Sequence, residues 1–443
     1  MANHFTGGTG ETGQNSSTAD PIDKASYGLA PPGQDASAHR ARWVILLSLM
    51  FIYLFYYTGR QNFGWALSSM NQNLGLSMSQ LGWVSFGMLM TYGLGQFING
   101  NLGDKFGGRV MLTLGGLFSA ALNWITSFGT TFWSVLIPWS ANGYAQSMGW
   151  APGSRMLSNW WPYHLRGKAF GWYVFSAGCS AILIYAIGAA LASMHLSWEW
   201  MFRLPVLLLA AASLVFYFVA RNKPQERGYP SVEEDPLNTD PLSNGEQESS
   251  RQRYGVVLSN WRFLMATLSI GFESLARYGL VIWLPVHLMG PSYADQPLGV
   301  WIGLALPVGM ALGALSSGYI SDRYFRSNRS RPIALFLFLA MLVLLTIYFV
   351  PSDRITLGII LLFLAGFLIY GPQANYWALC PDIFGRHRAA TAIGVMNMWA
   401  YFVAAVTDPF IGWMIDQFGT LPLFLLLAGS CALGALVILP VRR

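Results

Sequence analysis

Twelve apolar runs, each about 20 residues long, recur along this chain, and an α-helix needs a run of that length to cross a bilayer. Hydrophobic residues make up 54% of the sequence and charged residues 10%, which leaves too little polar surface for a water-soluble protein of 443 residues. We therefore predict an all-α membrane protein with twelve transmembrane helices. The predicted spans are residues 43–67, 80–101, 109–128, 131–158, 168–193, 200–221, 262–288, 297–320, 332–350, 355–380, 389–415 and 420–440.

The positive charges alternate between the predicted loops. Most of the 26 Lys and Arg residues lie in the N-terminal flank, in every second loop and at the C-terminal end. Because cytoplasmic loops retain positive charge, this distribution predicts that both termini are cytoplasmic. The net charge of +6 is then a topology signal and gives no reason to expect nucleic-acid binding.

Two polar stretches divide the chain. Residues 1–42 are rich in Gly, Ser, Thr and Asn without an apolar core, which predicts a disordered cytoplasmic tail and excludes a signal peptide. Residues 222–255 carry Pro, Ser, Asn and many acidic residues, which predicts a cytoplasmic linker. The linker separates a six-helix half at 43–221 from a second six-helix half at 256–443.

An arginine, Arg60, lies inside the first apolar run. A guanidinium at the bilayer centre costs about 3 kcal/mol on insertion scales, so Arg60 should face a polar cavity. Tyr53, Tyr57 and Arg60 have i, i+4, i+7 spacing, which places them on one helical face. We predict a functional site at Arg60, with simple aromatic packing as the alternative role for the tyrosines.

A second intramembrane arginine, Arg277, follows Arg60 by 217 residues. The motif Gly-x-Leu-x-Asp at Asp104 returns in the degenerate form Gly-Tyr-Ile-Ser-Asp at Asp322, 218 residues later. Two unrelated features with nearly the same offset indicate an internal duplication. The two halves are therefore predicted to be parallel, pseudo-symmetric repeats, with the arginines facing each other across their interface.

The motif continues as Asp104-Lys105-Phe-Gly107-Gly-Arg109, and it resembles the loop motif of the major facilitator superfamily. Its carboxylate can cap a helix N-terminus and pair with a basic residue, which would latch an inner gate in one conformational state. The resemblance therefore implies a gating role for the motif residues of both halves, which are Asp104, Arg109, Asp322 and Arg323.

Within that superfamily the sequence resembles the organophosphate:phosphate antiporters, which include glycerol-3-phosphate and hexose-6-phosphate transporters. The matching stretches include Tyr56-Tyr-Thr-Gly-Arg60-Gln-Asn62-Phe63, Gly149-Trp-Ala-Pro152-Gly-Ser-Arg155, Arg277-Tyr278-Gly279 and Gly366-Phe-Leu-Ile-Tyr370-Gly371-Pro372.

The resemblance implies a bacterial inner-membrane (plasma-membrane) antiporter that exchanges a phosphate ester for inorganic phosphate by alternating access. It further implies that Arg60 and Arg277 bind phosphate and that aromatic residues line the site, at Tyr53, Tyr57, Tyr370 and Tyr401. Besides membrane lipid, we expect a small anionic or zwitterionic partner, namely a phosphate ester, a phosphonate or phosphate. We expect no cofactor, no metal, no enzymatic activity and a monomeric state.

Several positions depart from that family. Gln61 and Gln96 stand where the glycerol-3-phosphate carriers have lysines, and Ala177 stands where they have a site histidine. Glu273 adds an acid one turn before Arg277, either as a substrate contact or as a local salt bridge. Asp408 follows Tyr401 by seven residues and could share its face, although Asp-Pro is also an ordinary helix break.

These changes lower the positive charge of the site. They lead to the hypothesis that the substrate carries a positive group as well as an oxyanion. Two other functions stay open at this point. One is a proton-coupled carrier of another small anion or zwitterion, and the other is a non-transporting membrane sensor of sugar phosphate.

Overall fold

The structure is a computed structural model that describes residues 34–194, 196–232, 248–289, 299–349, 354–419 and 421–441. The chain divides into two compact units, Met1–Ala41 and Arg42–Arg443. The described part of the first unit is the helical segment from Gln34 onward. The second unit contains all the other described helices.

Sixteen α-helices account for most of the described residues, and fifteen of them lie on the twelve predicted spans. The remaining helix, α9, covers the end of the predicted linker and the residues just after it. Their bounds are α1 Gln34–Tyr56, α2 Thr58–Leu74, α3 Met78–Phe106, α4 Gly108–Thr126, α5 Phe132–Ser147, α6 Trp150–Trp160, α7 Arg166–Ser193, α8 Trp200–Val219, α9 Ser250–Ser259, α10 Trp261–Met289, α11 Gly299–Tyr324, α12 Ser330–Phe349, α13 Ile355–Tyr370, α14 Gln373–Phe384, α15 Ala389–Phe418 and α16 Leu421–Ile438.

Not every span is uniformly apolar. Among the described residues, six helices are long and apolar enough to cross a membrane by length and composition, or seven if α9 and the first part of α10, bent by 76°, count as one span. Polar residues lower the hydropathy of some of the other spans. In α3, for example, Gln96, Asn99 and Asn101 are all buried in the protein rather than exposed to lipid.

Three of the predicted spans are interrupted, which the hydropathy pattern did not predict. The first breaks at Tyr57, the fourth at Met148 and Gly149, and the tenth at Gly371 and Pro372. Gly and Pro explain the second and third breaks, since both residues weaken a helix interior. The fourth and tenth spans occupy the same place in the two repeats, so their breaks are related by the duplication.

The two halves contact each other through two pairs of helices that the internal repeat relates to one another. Helix α3 packs on α15, and α7 packs on α11. Glycines bring the backbones together: a Cβ atom on Gly100 would lie 3.0 Å from Gly394 Cα, and one on Gly318 would overlap the carbonyl oxygen of Gly167. These contacts cluster at one end of the bundle, where Asp104 and the other motif residues lie, and we call it the motif end.

The domain boundaries at 221 and 255 stay predictions.

Candidate functional site

The break in the first span is stabilised by side-chain amides from neighbouring helices. The peptide oxygen of Tyr56, at the end of α1, accepts a hydrogen bond from Gln146 Nε2 at 3.0 Å. The peptide oxygen of Gly59 accepts from Asn123 Nδ2 at 3.0 Å and from Asn142 Nδ2 at 2.9 Å. Since a buried peptide group in a membrane must find a partner within the protein, these amides fix the first turn of α2, which carries the first arginine.

Tyrosines surround the Arg60 guanidinium. Its Cζ lies 4.1 Å from the ring centroid of Tyr57 and 4.9 Å from that of Tyr92. Its Nη1 donates to the hydroxyl of Tyr401, on α15, at 3.3 Å. This last contact joins the two halves, because α2 and α15 belong to different repeats.

Arg277, on α10, has both aromatic and acidic neighbours. Its Cζ lies 4.3 Å from the ring centroid of Tyr278 and 5.4 Å from that of Tyr370. Its Nε lies 3.5 Å from Glu273 Oε1, one helical turn earlier. The other oxygen of Glu273 accepts from Gln373 Nε2 at 2.8 Å, so α14 holds the carboxylate behind the arginine.

A cavity of about 270 Å³ has both arginines in its wall. Its wall combines guanidinium, amide and phenol groups with apolar side chains, a composition typical of small-molecule sites. It is lined by Tyr57, Arg60, Gln61, Leu89, Ala177, Gly178, Arg277, Tyr278, Pro307, Met310, Tyr370 and Tyr401.

The structure places the other candidate residues in different surroundings. Tyr53 lies beside the cavity, in the wall of a smaller space of about 30 Å³. Gln96 is fully buried and is absent from the residues that line either space. Glu273 is likewise fully buried and lines neither, and its contact with a cationic group of the substrate stays a prediction. The side chain of Asp408 lies outside the described residues.

At the motif end, Asp104 joins the two halves. Its carboxylate accepts hydrogen bonds from the backbone N–H groups of Ala390 at 3.2 Å and Thr391 at 2.8 Å, in the first turn of α15. A helix N-terminus stabilises negative charge in this position. Arg155, on α6, pairs with the same carboxylate at 3.2 Å.

Asp322 makes the equivalent contacts in the second repeat. It accepts from the backbone N–H of Lys168, in the first turn of α7, at 2.7 Å and pairs with Arg329. Arg329 Nε also lies 3.0 Å from Asp382, whose other oxygen lies 3.1 Å from Arg166 Nη1. Two acids and two arginines thus form a buried cluster across the interface.

The two predicted gating arginines lie elsewhere. Arg109 Nε donates to the peptide oxygen of Tyr217 at 2.7 Å, and its guanidinium lies over that ring. Arg323 is exposed. Among the described contacts, Arg155 and Arg329 are the arginines that pair with the two motif acids. The gating role of Arg109 and Arg323 stays a prediction.

The linker helix α9 also contacts both halves at the motif end. The hydroxyl of Tyr254 donates to the peptide oxygen of Phe97 at 2.6 Å, and the two rings stack with centroids 4.5 Å apart. Just before α9, Glu248 pairs with Arg388 at 2.9 Å, beside the start of α15. The linker therefore adds to the contacts between α3 and α15.

The pairing of the helices, the repeated motif and the central cavity can be compared with known proteins. The model of the family described as Major Facilitator Superfamily matches residues 49–407. This chain belongs to the Major Facilitator Superfamily. The protein is therefore an integral, multi-pass membrane transporter and not an enzyme.

Relatives of this superfamily member share nearly its whole length. The glycerol-3-phosphate transporter of Bacillus subtilis (strain 168) is 28% identical over 415 residues, which cover 90% of this chain and 92% of that protein. The membrane sensor protein UhpC of Escherichia coli (strain K12) is 23% identical over 416 residues, which cover 92% of each. The solved structure of the superfamily transporter FucP in the outward conformation is similar in fold, with a TM-score of 0.70 at 13% identity, covering 91% of this chain and 100% of that chain.

Sequence reasoning missed several residues of this Major Facilitator Superfamily site. Tyr92 and Tyr278 each lie under an arginine, and Gln373 holds Glu273. Tyr278 directly follows Arg277, so its proximity to the cavity could have been suspected. Gln373 gave no signal, because it lies 100 residues from Glu273 in the sequence.

Proposed function

We propose that this transporter carries a small organophosphate-type anion in exchange for inorganic phosphate, and that Arg60 and Arg277 bind the oxyanion. One observation carries the proposal: two guanidiniums, one from each repeat, line the same cavity. The names of relatives such as the glycerol-3-phosphate transporter support the substrate class.

The chemistry of the guanidinium suits this role. Its planar fork of N–H donors can bind two oxygens of a phosphoryl group at once, and the charge strengthens each bond. Tyr401 already bonds to Arg60 and lies beside Tyr278, with ring centroids 6.3 Å apart. An oxyanion between the arginines would therefore find hydroxyl donors as well as cations.

The same arrangement supports exchange rather than uniport. With the cavity empty, its wall carries a net positive charge that no anion balances, and closing the bundle around that charge is unfavourable. A bound anion attracts both guanidiniums and offsets that cost, so the loaded carrier changes conformation more readily than the empty one. Inorganic phosphate and a phosphate ester both present the oxygens that the arginines need.

The orientation follows from the positive-inside pattern. We propose that the motif end faces the cytoplasm, together with both termini. In that orientation the contacts of Asp104 and Asp322 close the cytoplasmic side of the cavity, and they must break for substrate to enter the cell.

The test is exchange in proteoliposomes loaded with inorganic phosphate. We expect uptake of radiolabelled glycerol-3-phosphate or another phosphate ester that depends on internal phosphate. Arg60→Lys and Arg277→Lys should each abolish exchange while leaving the protein folded, because lysine keeps the charge but loses the fork. Arg354→Lys makes the same change at an exposed position and should leave exchange intact.

Three results would contradict the proposal in different ways. Near-normal exchange in either cavity variant would show that the arginines are structural. Ligand binding without any uptake would indicate a sensor. Uptake driven by a proton gradient, without internal phosphate, would indicate a proton-coupled carrier.

A further inference from the structure

Glu273 pairs with Arg277 and is not among the residues that line the cavity. It is fully buried, and its carboxylate accepts hydrogen bonds from Gln373 Nε2 at 2.8 Å and Ser274 Oγ at 3.4 Å. Arg277 Nε lies 3.5 Å from its other oxygen as an ion-pair partner. The nearby guanidinium and the two hydrogen bonds favour the ionised carboxylate and oppose the effect of burial, which disfavours it. One of the two positive charges at the cavity is thereby neutralised within its own helix.

Arg60 has different neighbours. Its described contacts are the Tyr401 hydroxyl and the rings of Tyr57 and Tyr92. Within the described part of the chain no carboxylate pairs with it. The two guanidiniums therefore contribute unequally to the charge that a ligand meets, because Glu273 pairs with Arg277 and no carboxylate of the described residues pairs with Arg60.

We propose that the cavity selects an oxyanion with a single negative charge, and that Glu273 is the specificity-determining residue for that choice. This inference rests on the proposed function. Arg60, Arg277 and Glu273 together leave one net positive charge, which a singly charged oxyanion neutralises. A dianion would leave an excess negative charge in a site of low dielectric constant, where the repulsion from Glu273 is stronger than in water.

The ligands that fit this charge are phosphodiesters, phosphonate monoesters and the singly protonated forms of phosphate and phosphate monoesters. Arg277 can still donate hydrogen bonds to such a ligand, because its pairing with Glu273 occupies Nε and the cavity wall includes the same side chain. Glu273 acts through Arg277 and makes no contact with the ligand, so it is a positioning residue that sets the charge of the site.

The experiment compares two probes of similar size with the purified, full-length protein. Methyl phosphate loses its second proton at about pH 6, so it is a monoanion at about pH 5 and a dianion at about pH 8. Dimethyl phosphate is a monoanion at both values and reports any effect of pH on the protein itself. Binding is measured by thermal shift and by competition with labelled inorganic phosphate at each pH.

We expect the wild-type protein to bind methyl phosphate at least about tenfold more tightly at the lower pH, after correction by dimethyl phosphate. Glu273→Gln should reverse that preference, because it raises the net charge of the site and keeps an acceptor for Gln373. Glu226→Gln removes an acid at an exposed position and should change nothing.

Several outcomes would overturn the inference. Equal or tighter wild-type binding of the dianion would refute it while leaving the proposed function intact, and this comparison needs no variant. Equal shifts for both probes in Glu273→Gln would refute the role of Glu273, as would a reversal produced by Asp408→Asn alone. If neither probe binds under any condition, the proposed function fails and the inference fails with it.

Discussion

Replacing Asp382 by Asn removes the negative charge that Arg166 and Arg329 share at the motif end. The exposed fractions of these side chains are 0% for Arg166, 1% for Arg329 and 3% for Asp382, so water does not replace the lost carboxylate. Arg329 keeps its pairing with Asp322, whereas the ion pair between Arg166 and Asp382 is lost. The substitution therefore leaves a buried guanidinium facing a neutral amide.

The substitution destabilises one conformational state, the state that is closed at the motif end. Removing one partner of a buried ion pair costs about 3–5 kcal/mol, and the lower value applies here because Asn retains an oxygen that accepts a hydrogen bond. Arg166 begins α7 of the first half, whereas Asp382 lies on α14 of the second half. Because the contact links the halves, it is lost when the motif end opens. A loss of about 3 kcal/mol from the closed state should raise the open-to-closed ratio about 100-fold.

Cysteine accessibility measures that ratio. Ala314 is fully buried where α11 packs on α7 at Gly171, so Ala314→Cys reports opening in a background that lacks the three native cysteines. Asp382→Asn should increase its rate of labelling by a membrane-permeant maleimide, up to about 100-fold if the closed state predominates in the parent. Glu226→Gln is the matched acid-to-amide control at an exposed site. An unchanged labelling rate in a folded, ligand-binding Asp382→Asn variant would refute the reasoning, because the cluster would then be equally satisfied in both states.

Two further predictions concern backbone packing. Gly318→Ala should prevent the closed state at the motif end and slow exchange, because the added Cβ would overlap the backbone of α7. Gly429→Ala has open space around it and should be neutral. The test is the protection of Ala314→Cys from maleimide labelling in each variant. Gln146→Leu should lower the free energy of unfolding by about 1–3 kcal/mol, because the peptide oxygen of Tyr56 loses its donor. The measurement is thermal unfolding in detergent, with Gln225→Leu at an exposed position as the control. Equal melting temperatures for the two variants would contradict this prediction.

Hydropathy alone predicted the helices well because a bilayer dictates both the length and the composition of a spanning segment. The break at Tyr57 escaped prediction since no Gly or Pro stands there, and the amides that stabilise it come from α4 and α5. Local sequence cannot show such long-range partners. The breaks at Gly149 and Gly371 carried a recognisable residue type, although Gly is also common inside spanning helices.

The charged residues of the cavity wall could be predicted from the sequence. Arg60 and Arg277 were expected to face a cavity because lipid exposure is costly, and both line it. Gln96 and Glu273 were placed in the same site, but the rotation of each helix turns them away from the cavity wall. That rotation depends on packing between helices, which spacing along one helix does not determine.

The same limit applies to the motif end. Arg109 lies five residues from Asp104 in the sequence and belongs to the same motif, yet Arg155, 51 residues away, pairs with that acid. Asp104 lies on α3 and Arg109 on α4, and the turn between the two helices separates their side chains, whereas α6 brings Arg155 to the acid. The sequence motif therefore identified the acids correctly as a repeated pair and left their partners undetermined.

The glycine contacts between the halves have a consequence for how such a carrier diversifies. At Gly100 and Gly318 the moving parts meet through main-chain atoms, so these positions admit almost no variation. The cavity wall consists of side chains on other residues, which can be exchanged without altering that fit. Descendants of one ancestral carrier can thus change their substrate by a few substitutions in the cavity wall, while the contacts between the two halves stay the same.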